Sequence, residues 1–384
     1  MRGAASTEVV AVMVMMLAVL NQLESAAAND SLSSNKSFCN IYRGSWVYDN
    51  SYPLYDSKSC PFIERQFNCK SNGRPDQDYL KYRWQPSGCN VIRHYRYINL
   101  KYFKVEKNYY LTCRFNGLDF LERLKGKKLM FVGDSLSLNQ WQSLTCLLHN
   151  ASPKAKFAIT RSPSGLSVFS FPAYNATIMF SRNAFLVDIV GAPPKRVMKL
   201  DSISTGSLWK TADVLVFNSW HWWLHTGRKQ PWDAVEYGNV TVRDMDRLVA
   251  YEKAIRTWGM WIDQNIDHYK TKVFFQGVSP DHARSKDWSK QGGNGSCIGE
   301  TKPVMGSNYP AGPHPAEMVV EKVIKTMKHP ARLMDVTLMS QLRKDGHPSV
   351  YGFGGHKNPD CSHWCLAGVP DSWNQLLYSE LFHS

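Results

Sequence analysis

Nowhere in its 384 residues does the chain hold the roughly 20 consecutive apolar residues that a bilayer-crossing helix needs. It has no dense run of Lys or Arg, no zinc-finger pattern and no RNA-recognition motif. Its net charge of +14 is therefore spread rather than massed, which argues against nucleic acid as a partner and leaves a solvated basic surface or an acidic polymer. The G-x-S-x-G elbow of α/β-hydrolases is missing, because Ser137 stands where it needs its second glycine. No nucleotide- or CoA-binding fingerprint and no internal repeat of solenoid period is present. Zinc clusters come as repeated CxxC-like pairs; here there is one close pair, Cys361 and Cys365, so a metal is not expected.

What is present points to the secretory route. Arg2 precedes an apolar run from Val9 to Leu20, and Ala26-Ala27-Ala28 resembles a cleavage site. Residues 1–28 read as a signal peptide, with a short uncleaved signal anchor as the alternative. Six N-x-S/T tripeptides start at Asn29, Asn35, Asn150, Asn175, Asn239 and Asn294. The nine cysteines read as a disulfide framework with one thiol left over. The aromatic residues, among them 13 Trp and 18 Tyr, suit either large cores or contact with sugar rings, and composition does not choose.

Residues 29–38 are Ser/Asn-rich and read as a flexible segment; residues 39–120 read as a loop-rich lobe stapled by disulfides. From residue 121 onward short apolar strands alternate with helices. The strands are expected at 129–132, 214–217, 273–275 and 333–336, with paired strands within 168–190. Helices are expected after Ser135, at 244–268, 314–327 and 371–382. This alternation predicts an α/β sandwich on a mostly parallel sheet, with ligands beyond the carboxyl ends of the strands. Ser135 and Asn218 both fall there.

Three residues stand out chemically. Gly133-Asp134-Ser135 ends a strand and opens a helix, whose free N–H groups and dipole suit a nucleophile and its oxyanion. Taken alone, a helix cap is the simpler account. Asp360 stands three residues before His363, near enough to orient the imidazole, but a structural turn histidine explains the pair as well. Asn218 is either an oxyanion donor or a turn residue. Trp220, His221, Trp222, Trp223 and His225 form either a substrate wall or a packed corner.

Together these stretches narrow the choice. Phe131-Val-Gly-Asp-Ser135, Leu200-Asp-Ser-Ile203, the segment from Phe217 to Gly227, and Asp360-Cys-Ser-His-Trp-Cys-Leu366 running on to Asn374 resemble the plant trichome birefringence-like family. Its catalytic domain is GDSL/SGNH-related, a three-layer sandwich. The resemblance implies a Golgi-lumen O-acetyltransferase acting on cell-wall polysaccharide through an acetyl-serine, with Ser135 as nucleophile, His363 as acid–base and Asp360 as its orienter. It also implies bridges Cys39–Cys89, Cys60–Cys146, Cys69–Cys365 and Cys297–Cys361, leaving Cys113 free. Other Golgi wall-synthesis proteins are implied as partners, and membrane anchoring of type II, with secretion to the cell wall as the alternative. No bound cofactor is expected; the acetyl donor is acetyl-CoA or another acetyl carrier. Xylan is the first acceptor to test and pectin the second. An acetylesterase with the same three residues, and a non-catalytic polysaccharide-binding protein, are the competing functions.

Overall fold

The computed structural model describes residues 40–87, 115–283, 295–309 and 312–382. The expected leader, the 29–38 segment, the Cys39–Cys89 bridge and Cys113 lie outside these residues.

The elements follow in chain order. β1 (Asn40–Tyr48) and β2 (Tyr82–Ser87) form an antiparallel pair with Trp46 opposite Trp84. After α1 (Gly117–Arg123) come β3 (Lys128–Gly133), α2 (Ser135–Ala151), β4 (Ala158–Arg161), β5 (Leu166–Phe171) and β6 (Ala176–Arg182). Next are β7 (Asp188–Val190), β8 (Val197–Lys199), β9 (Val214–Phe217), β10 (Ala234–Tyr237) and β11 (Val240–Val242). The chain continues with α3 (Arg247–Asn265), β12 (Lys272–Gln276), α4 (Pro315–Ile324), β13 (Arg332–Met334), α5 (Thr337–Gln341) and α6 (Val369–Phe382).

The main sheet runs β13-β12-β9-β3-β6-β5-β4. Its first five strands are parallel, and β5 and β4 add an antiparallel edge. Strand residues alternate between two cores. Leu129 and Phe131 join a cluster with Leu144, Leu148, Trp373 and Leu377 from α2 and α6. Met130 and Val132 join one with Tyr251, Trp258 and Val320 from α3 and α4. The result is the expected three-layer α/β sandwich. A second sheet, β11-β10-β8-β7, packs beside it through Met198 and Val235.

The N-terminal stretch shares the first of these cores. Trp46 and Trp84 are buried in it, and the Trp46 indole N–H donates to the Met339 carbonyl at 2.8 Å. Three disulfides are present among the described residues: Cys60–Cys146, Cys69–Cys365 and Cys297–Cys361. The first ties the N-terminal stretch to α2, and the second ties it to the loop before α6.

Candidate active site

β3 ends at Gly133, and α2 begins two residues later. The Asp134 side chain caps the helix, its Oδ1 accepting from the Leu136 N–H at 2.8 Å. A side chain at position 133 would put a Cβ 2.4 Å from Ser137 Oγ and 2.5 Å from the Asn218 carbonyl oxygen. Only glycine lets the ends of β3 and β9 approach this closely, so the spacing between Ser135 and Asn218 depends on it.

The Ser135 hydroxyl lies 2.7 Å from His363 Nε2, and His363 Nδ1 lies 2.8 Å from Asp360 Oδ2. The other Asp360 oxygen accepts from the backbone N–H groups of Ser362 and His363 at 3.1 and 3.0 Å. Residues far apart in the chain thus stand in one hydrogen-bonded line. Burial pushes the Asp360 carboxyl up, but the hydrogen bond and charge of His363 and the two N–H donors outweigh it and hold Asp360 well below the usual carboxylate range. Burial pushes His363 down, and Asp360, with the charges of Asp134 and Asp281, more than reverses that. Asp360 therefore holds the Nδ1–H tautomer and leaves the Nε2 lone pair to Ser135.

The loop carrying His363 is clamped on three sides. Asn139 of α2 accepts from the Trp364 N–H at 2.7 Å and donates to the Trp364 carbonyl at 3.2 Å. Cys361 and Cys365 are both bridged. Behind the loop, His347 Nδ1–H donates to the His363 carbonyl at 2.6 Å, its ring stacked on Trp364, and its Nε2 meets His282 Nδ1 at 2.7 Å. Burial pushes His347 down to about 4, so it is a neutral strut near pH 7. Sequence inspection missed His347 and His282 because isolated loop histidines carry no spacing signal.

Asn218 sits at the carboxyl end of β9, buried beside Gly133, with its Oδ1 free of hydrogen bonds among the described residues. The aromatic loop after it divides. His221 is half-buried, its ring 6.4 Å from that of His363, and Trp222 and His225 pack next to it. Trp220 and Trp223 are corrections to the expected substrate wall. Trp223 is fully buried, its N–H on the Ser219 hydroxyl and its ring against Phe185, Trp232 and Tyr251. Trp220 is buried against Tyr251 and His314. Both indoles fill core, the packed corner of the two sequence readings. A cavity of about 310 Å³ bounded by Tyr55, Ser57, Tyr79 and Ala367 has none of Ser135, Asp360 or His363 in its lining.

A serine at a strand-to-helix turn, on a mostly parallel sheet, facing a His/Asp pair from a loop before the last helix, defines a GDSL/SGNH-like acyl-esterase fold. A family model described as the GDSL/SGNH-like acyl-esterase family found in Pmr5 and Cas1p matches residues 112–380, and one described as the PMR5 N terminal domain matches residues 37–90. The chain belongs to the trichome birefringence-like family. Trichome birefringence-like protein 43 of Arabidopsis thaliana is 78% identical over the full length of both chains. Number 39 from the same plant is 50% identical over 90% of this chain and 88% of its own, and number 42 is 49% identical over 90% of each.

Proposed function

We propose that the protein is a cell-wall polysaccharide O-acetyltransferase working through an acetyl-serine. The observation that carries this is the unbroken Ser135–His363–Asp360 hydrogen-bond line in a chain of this family. Ser135 Oγ attacks the acetyl carbonyl carbon of the donor while His363 Nε2 takes the hydroxyl proton. The bond from that carbon to the donor's leaving atom breaks, and His363 returns the proton to the leaving group. A sugar hydroxyl then gives its proton to His363 and attacks the acetyl-serine, and the proton passes back to Ser135 as the ester bond opens. The Ser135 N–H at the start of α2 and the Asn218 amide are the oxyanion donors in this scheme. The donor is acetyl-CoA or another acetyl carrier, the first acceptor to test is xylan, and the Golgi lumen is the proposed compartment.

A polysaccharide acetylesterase is the second reading. Ser135 is only half-buried and the His363 side chain is 17% exposed, so water reaches the same atoms. Purified protein incubated with an acetyl donor and de-acetylated xylan or pectin oligomers separates the two. Mass spectrometry is expected to show acetylated oligomer, and none with Ser135→Ala. Free acetate without acetylated oligomer overturns the transferase in favour of the esterase.

A further inference from the structure

β6 runs parallel to β3 with Arg182 level with Gly133, and the next residue, Asn183, donates its N–H to the Gly133 carbonyl at 2.8 Å. Arg182 thus ends the strand beside the nucleophile's own strand, at the edge where Ser135 emerges. Ile178 and Phe180, two and one steps earlier on the same face, are buried core; Arg182 comes out of the core exposed, its guanidinium 5.8 Å from the Phe180 ring.

Most arginines in the described structure hold a carboxylate. Arg161, on the edge strand β4, holds Glu64 at 3.5 Å, and Arg196 grips Asp233 at 2.9 Å. Arg182 has no ion-pair partner among the described residues. Asp134, the acid on which the Arg182 charge acts, is fully buried and spends Oδ1 on the α2 cap, so it does not neutralise the guanidinium through an ion pair. Asp281 acts on His363 and His225, and it forms no ion pair with Arg182 among the described residues. An unpaired planar fork at the edge of a nucleophile's strand suits a carboxylate delivered by the substrate, because the fork matches both carboxylate oxygens.

We propose that Arg182 recognises the carboxylate of a uronate residue on the polysaccharide lying across Ser135, so that the site selects acidic over neutral chains. This rests on the proposed polysaccharide-directed function. The uronate belongs either to a galacturonate backbone or to a glucuronate branch on xylan, and both present the same carboxylate.

Binding tests this without turnover. Full-length Ser135→Ala protein is titrated calorimetrically with trigalacturonate, with its methyl ester, and with a glucuronate-branched xylo-oligomer, with and without Arg182→Gln or Arg182→Lys. At least one acidic oligomer is expected to lose about tenfold or more in affinity with Arg182→Gln, and less with Arg182→Lys, while the methyl ester changes less than twofold. Which acidic oligomer responds identifies the source of the carboxylate. Equal losses for acid and ester, or no loss for either acid in a variant whose melting midpoint is unchanged, overturn the proposal. Absence of acetyl transfer in the earlier assay leaves these affinities intact, so the two ideas fail separately.

Discussion

His363 works at three atoms. Nδ1 is held by Asp360, Nε2 faces Ser135, and its carbonyl oxygen is fixed by His347. The carboxylates around it raise its pKa above the ordinary histidine value despite burial. A general base works only as neutral imidazole, so activity is lost as pH falls through that raised value. The acid limb of kcat/KM is expected above the unperturbed 6.5 or so. Asp281, which is exposed, contributes to the rise, so Asp281→Asn should move the limb to lower pH. A pH–rate profile of the two proteins checks this, and an unmoved limb means that Asp281 does not act on His363. Ser135, Asp360 and His363 were legible only together, since Gly-Asp-Ser alone reads as a helix cap and Asp-x-x-His alone as a turn histidine. Arg182 and His347 were not, since each acquires its position from a neighbouring strand or loop.

At the scale of elements, α2 and α6 are joined by polar contacts inside an apolar layer. Asp371 in the first turn of α6 accepts from the Ser143 hydroxyl at 2.6 Å, the Gly368 N–H at 2.8 Å and the Tyr55 hydroxyl at 3.3 Å. Asn374 donates to Ser143 and to the Gln140 carbonyl. Burial pushes Asp371 up to about 7. Its folded value lies above the unfolded value of roughly 3.9, so the fold binds the extra proton. Stability from this group is complete below the unfolded value and is lost as pH rises through about 7. Asp371→Asn keeps the shape without the charge, turning its amide nitrogen to Ser143 and its oxygen to Gly368. It should exceed the parent in stability at pH 8, by on the order of a few kcal/mol, and match it near pH 4. Urea unfolding at the two pH values measures the difference. The strands β3, β9 and β12 were legible because three or four consecutive apolar residues stand out. The strands β7, β8, β10 and β11 were not, because three or four half-exposed residues carry no alternation above background.

At the scale of the molecule, the Cys69–Cys365 bridge spans 296 residues of chain, and Cys365 lies two residues past His363. A bridge that closes so long a loop restricts the unfolded chain strongly. Replacing both cysteines with serine should cost about 2–5 kcal/mol and lower kcat as well, since one clamp on the His363 loop is gone. Thermal melts and steady-state rates read the two effects; a fall in melting midpoint with unchanged kcat means that Asn139 and His347 hold the loop unaided. Spacing alone left the cysteine pairing open, and only the family resemblance implied the three bridges seen.

Ser135 precedes His363 by 228 residues. At synthesis rates of about 5–20 residues per second, Ser135 is made roughly ten to fifty seconds before His363. A nascent chain at that stage holds Ser135 without the imidazole that the proposed mechanism needs. On the proposed mechanism Ser135 gains its base only when the His363 loop has been made and the helix after it closes against α2, so the order of synthesis keeps the serine silent until then.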